Sequence, residues 1–164
     1  MEALKAIAER HSTRAFASRS VPKEVLEQII DAGRLAATAR NVQPWEFVAV
    51  TDDGVRARLA QLAENGRFIA QAPACVALFC KETKYFVEDG SAATQNIMVA
   101  AAAFGVQSCW VAGDKKPYAE EVARLLRAPA GLRLMSLIPL GYASGPEPRA
   151  PKRPLEEVLH WQGF

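Results

Sequence analysis

Five consecutive residues near the start, Arg10-His11-Ser12-Thr13-Arg14, carry two guanidiniums, an imidazole and two hydroxyls. If that backbone is extended, Arg10, Ser12 and Arg14 project to one side. Arginine forks match phosphate oxygens two at a time, and a serine hydroxyl adds a short donor. A second basic cluster, Arg149 with Lys152-Arg153, stands near the end, and the two clusters together read as a clamp for one anion. Each also has a plainer reading as a solvated charged turn. Asn41-Val42-Gln43-Pro44-Trp45 offers two amides that both donate and accept, which suits the polar edge of a planar heterocycle. Its alternative is a helix stop followed by a strand start, with Trp45 as a core anchor. Ser108 to Gly113 ends in small residues that expose backbone N–H groups and let a flat ligand approach; an ordinary strand exit is again the alternative.

Other chemistries find no support. There is no Gly-x-Gly-x-x-Gly, no Walker loop, no nucleophile motif around His11 or His160 and no metal-ligand spacing. Cys75, Cys80 and Cys109 lack Cys-x-x-Cys spacing and sit in apolar runs, so they read as buried free thiols of a reducing cytoplasm. The 20 basic and 18 acidic side chains leave a net charge of +2, too balanced for a protein that coats nucleic acid. The first residues are not a signal peptide, and no apolar run reaches membrane length, so no membrane partner is expected.

The elements that must position these groups follow from periodicity. The 164 residues suit one domain, 1–164, with half of them hydrophobic. Met1 to Glu9 reads as a short helix with Leu4, Ile7 and Ala8 on one side. Pro22 opens a helix with Val25, Ile29, Ala32 and Ala36 at helical spacing. Phe47–Thr51 reads as a strand, and Asp52-Asp53 starts a helix carrying Val55, Leu59 and Leu62. Pro73–Cys80 is a continuous apolar strand buried on both faces. Asp89–Phe104 is an alanine-rich helix ended by Gly105. Ser108–Ala112 is a strand, Pro117–Arg127 a helix, and Leu134–Tyr142 the last strand, where Pro139 predicts an edge position or a bulge. From about residue 145 the chain holds Pro146, Pro148, Pro151 and Pro154 and reads as an extended arm. The alternation of helices and strands places the chain in the α/β or α+β class.

Taken in order, these segments resemble the nitroreductase family of FMN-dependent NAD(P)H oxidoreductases. The matching pieces are Arg10 to Phe16, Asn41 to Trp45, Asp89 with Ala93-Thr94-Gln95-Asn96, Gly105 to Trp110, Leu140-Gly141-Tyr142, and Arg153 to Glu157. The resemblance implies an α+β, nitroreductase-like fold: a central mixed β-sheet flanked by helices, in an intertwined homodimer with FMN at the interface. By the same resemblance Arg10, His11, Ser12 and Arg14 are ribityl and phosphate ligands, and Lys152 and Arg153 close on the phosphate. Thr38, Ala39 and Asn41, with Gln43 close behind, come from the other subunit. Ala112 and Gly113 lie beside flavin N5, and Asn65 and Arg67 reach the pyrimidine end. Hydride would pass from NAD(P)H through flavin N5 to a nitroaromatic, quinone or similar acceptor in ping-pong order, with no catalytic side chain. A flavin-dependent oxidase or dehalogenase on the same scaffold, and a non-catalytic FMN-binding protein, are the alternatives. The chain departs from the family in Ala37-Thr38 where Pro-Ser is common, in Arg40, and in the short stretch before the Asp89 helix, which implies a reduced lid.

Overall fold

The computed structural model describes residues 2–164. Among the described residues, five helices and five strands carry the fold: α1 Ala3–Glu9, α2 Lys23–Arg34, β1 Trp45–Val50, α3 Asp53–Leu62, β2 Ala74–Lys81, α4 Phe86–Ala103, β3 Gln107–Ser108, β4 Val111–Ala112, α5 Ala119–Leu125 and β5 Leu132–Gly141. Short 3₁₀ turns span Ala39–Asn41, Glu64–Ala70 and Leu155–Glu157. The strands form one sheet in the order β1-β2-β5-β3, with β4 also on β5. These ladders are antiparallel, and a parallel bridge from Ser12 to Ser108 makes the sheet mixed.

The apolar run of β2 explains the layering. Side chains alternate across a strand, so Ala74, Val76, Leu78 and Cys80 enter one core with α2 and α4. Cys75, Ala77 and Phe79 enter the other, with α3, the 64–70 turns and α5. Both faces are covered, which is why the run is apolar without a break. α2 approaches α4 closely at Gly33, where a Cβ would stand 2.7 Å from the Ile97 side chain. The Asp52 carboxylate caps α3 by accepting from the Val55 N–H at 2.8 Å.

In α1 the buried residue is Ala6, while Leu4 is 82% and Ile7 54% exposed. The helix turns this small face to the alanine-rich α4. Two expectations change. Pro139 makes β5 neither an edge strand nor bulged at that point. β5 lies between β2 and the short strands, and its irregularity falls opposite Leu78 and Phe79. The expected strand Ser108–Ala112 is instead two pieces. Gln107–Gly141, Ser108–Leu140, Val111–Leu137 and Ala112–Ser136 share a single register, so the gap at Cys109-Trp110 faces Pro139 and Ile138. A residue without an N–H cannot donate to a ladder, and the neighbouring strand opens there.

Candidate functional site

Residues 10–17 form a connector locked at both edges. Ser12 bridges Ser108, and the Thr13 N–H donates to the Ser108 carbonyl at 2.9 Å. Further on, Phe16 bridges Ala143, and the Ala17 N–H donates to the Tyr142 carbonyl at 2.8 Å. Thr13 is fully buried, whereas Ser12 and Arg14 stay exposed on either side of it. The small Ser and Thr side chains allow this close backbone approach, and the arginines are left free to face a ligand.

Beside this connector lies a cavity of about 570 Å³, within the usual range for a small-molecule site. Arg14 from the connector, Asn65, Arg67 and Phe68 from the 3₁₀ turns, Cys109 to Ala112 from the broken strand, and Lys116 with Tyr118 before α5 line it. Glu64 is the acidic member of that wall, against the cations Arg14, Arg67 and Lys116. The Arg14 guanidinium sits 6.0 Å from the centre of the Phe68 ring. The site therefore offers concentrated positive charge next to flat apolar surface.

Ala112 contributes backbone polarity. The Gly113 N–H donates to the Met135 carbonyl at 2.9 Å. Antiparallel residues alternate between bonded and non-bonded pairs, so Ala112, opposite Ser136, turns its own N–H and C=O away from β5. Its carbonyl accepts from the Tyr118 hydroxyl, and burial pushes that phenol's pKa up. Gly113 has no backbone donor left to offer a ligand. Its N–H is already spent, and it is buried so tightly that a Cβ would lie 2.6 Å from Leu134 Cγ.

Four of the expected residues, Arg14, Asn65, Arg67 and Ala112, thus meet in one cavity. Arg10, His11 and Ser12 precede Arg14 on the connector. Arg10, Ser12 and Arg14 all act on the Cys109 thiol that lines this cavity. Thr38, Ala39, Asn41 and Gln43 lie in another place. The Thr38 hydroxyl donates to Asp89 Oδ2 at 3.0 Å, and the Ala39 N–H donates to Asp89 Oδ1 at 3.0 Å. The Gln43 N–H returns to the Thr38 hydroxyl at 3.1 Å. Arg40 has φ 55°, Asn41 56° and Gln43 50°, so the loop is strained and Asp89 holds it. Arg40 lines a separate hollow of about 160 Å³ with Tyr85 and Asp89. Lys152 and Arg153 lie in the exposed terminal segment and do not line the main cavity; Arg153 bonds to Glu157 at 3.2 Å. The two basic ends do not close on one another within a single chain.

Motif residues also gain physical roles. The Asn96 amide donates to the Ala32 carbonyl at 3.0 Å, tying α4 to α2. Thr94 donates to the Gly90 carbonyl at 2.8 Å and its hydroxyl meets that of Ser136 at 2.9 Å. Sequence reasoning missed Glu64, Phe68, Lys116, Tyr118 and Glu147. Tyr118 is readable only as a helix start beside Pro117. Glu147 contacts the connector across more than 130 residues, a pairing no local pattern carries. Burial raises the thiol of Cys109, while Arg14, Ser12 and Arg10 oppose that shift.

The chain matches the Nitroreductase family over residues 7–83 and 64–142. It is 32% identical over 148 residues to a candidate NADH dehydrogenase/NAD(P)H nitroreductase of Archaeoglobus fulgidus, covering 86% of this chain and 85% of that protein. An iodotyrosine deiodinase of Thermotoga neapolitana is 26% identical over 181 residues, covering 94% and 95%. Among solved structures, an FMN-dependent nitroreductase of Clostridium difficile superposes with a TM-score of 0.91 at 24% identity, covering 98% and 99%. The protein belongs to the nitroreductase family.

Proposed function

We propose that this chain is an FMN-dependent oxidoreductase that takes hydride from NAD(P)H and delivers it to a nitroaromatic, quinone or similar small acceptor. The observation that carries the reading is the convergence of Arg14, Asn65, Arg67 and the outward Ala112 N–H on one cavity. The donor set fits the cofactor: a phosphate and an electron-rich ring edge both call for cations, and the ring faces call for apolar walls. Bound FMN supplies hydride exchange at its N5. The Ala112 N–H orients that edge, and Arg67 with Arg14 lowers the energy of negative charge at the pyrimidine edge. Arg10 and Ser12 hold the phosphate, and Trp110, 37% exposed, stands at the rim where donor and acceptor enter in turn. Solvent supplies protons.

The same reading includes a homodimer. Leu4, Ile7, Leu35 and Val42 are exposed on the body, and Leu155, Leu159, Trp161 and Phe164 on the terminal segment. Exposed apolar surface of this extent favours a partner, and a second copy brings its 38–43 loop to the cofactor. The reading is tested by an absorption spectrum of the purified protein and anaerobic titration with NADH and NADPH. A yellow protein bleached by either nicotinamide and reoxidised by a quinone is expected. A protein that binds no flavin would refute it.

A further inference from the structure

The residue that shapes the connector lies outside every motif named so far. Glu147 stands between Pro146 and Pro148, where the chain leaves β5. Its Oε1 accepts from the Arg14 N–H at 2.9 Å and from the Ala15 N–H at 3.0 Å. Successive N–H groups of an extended strand point to opposite sides, so both reach one oxygen only if the backbone turns at Arg14. On either side the connector is strand-like, bridged at Ser12 to Ser108 and at Phe16 to Ala143. The turn therefore falls at the arginine that lines the cavity.

The carboxylate suits the task. Bonds from N–H groups to an ionised acceptor are stronger than neutral ones. Flanking prolines stiffen the backbone that presents it. Oε2 is buried and has no hydrogen-bond partner among the described residues. His11 Nε2 stands 4.0 Å from it, and Nδ1 of that ring already donates to the Glu9 carbonyl at 3.0 Å. The two bonds through Oε1, with the Thr13 hydroxyl and the His11 ring acting on the same carboxylate, retain the group at this position.

We propose that Glu147 is a positioning residue that turns Arg14 into the flavin cavity. It acts through the Arg14 backbone and touches no cofactor. The inference rests on the FMN reading given above. The test is a double-mutant cycle on the full chain, stripped of flavin and titrated with FMN by fluorescence quenching. E147A weakens FMN binding about tenfold, the scale of one charge-assisted bond. E147Q keeps an oxygen that accepts both N–H groups and stays within about threefold of the parent. R14A weakens binding, and adding E147A to it weakens binding by no more than about twofold further, because both act through one side chain. Amide exchange at Arg14 and Ala15 speeds up in E147A and not in E147Q. If E147A does not fold, E147D, one methylene short, takes its place in the cycle. Multiplicative effects, an inert E147A, or an E147Q as weak as E147A overturns the proposal. A parent that binds no FMN overturns the cofactor reading and this inference with it, whereas a parent that binds FMN beside an inert E147A overturns this inference alone.

Discussion

Ala112 and Gly113 show how neighbours divide a task. Gly113 spends its N–H on Met135 and leaves no room for a side chain, and so holds β4 against β5 with the Ala112 N–H outward. Replacing Gly113 with alanine forces a Cβ against Leu134 Cγ at 2.6 Å and the Met135 backbone at 2.9 Å. Overpacking of this kind costs about 1–3 kcal/mol. Urea denaturation of G113A should show that loss, and flavin content should fall with it. The cysteines behave differently. Burial pushes the thiols of Cys75 and Cys80 up to about 12, and raises Cys109 as well. Thiolate is the reactive form, so a disulfide reagent at neutral pH should titrate no thiol in the native protein and all three after denaturation.

At the scale of elements, two carboxylates fix two connectors. Asp89, 5% exposed at the start of α4, holds the 38–43 loop through Thr38 and Ala39. Left-handed backbone at non-glycine residues costs about 1–2 kcal/mol each, and Arg40, Asn41 and Gln43 all adopt it. D89A should lower stability by at least about 1.5–3 kcal/mol, the range for a hydrogen bond to a charged group. Hydrogen exchange should show the Ala39 and Gln43 amides losing protection first. Glu147 does the equivalent work on the 10–17 connector. Partial burial alone would raise its carboxyl, but the Arg14 amide, the Thr13 hydroxyl, the Ala15 amide and His11 outweigh burial and hold it below its ordinary value of 4.5. A lowered carboxyl contributes stability above its unfolded value and loses it as pH falls through the folded one. Connector protection should thus be complete above about pH 4.5 and fade only below it, while E147Q should show no such dependence.

For the whole molecule, the dimer proposed above predicts a light-scattering mass of twice 17.8 kDa. Deleting residues 150–164 keeps Glu147 but removes Lys152, Arg153 and the exposed Trp161 and Phe164. That truncation should leave far-UV dichroism intact, shift the mass to one chain and strip the flavin. Much of this architecture was legible in the sequence. The unbroken apolar run of β2 announced a strand covered on both faces, and Asp52 announced the start of α3. Leu4 and Ile7 share a face by periodicity, but that they stay exposed is decided by which side of α1 finds a partner. Pro139 was recognised as a ladder breaker, yet which neighbour it breaks depends on a register set by residues about 30 positions away. By itself the sequence determined residue chemistry and local order: cations beside hydroxyls on an extended connector, two amides before a strand, and the order of motifs that marks the family. Only the tertiary structure decided which of these meet. It set Arg14 with Asn65, Arg67 and Ala112, placed the 38–43 loop on Asp89, and gave Glu147 its two amides. Such contacts join residues far apart in the chain, and their geometry follows from how the sheet and helices close on one another.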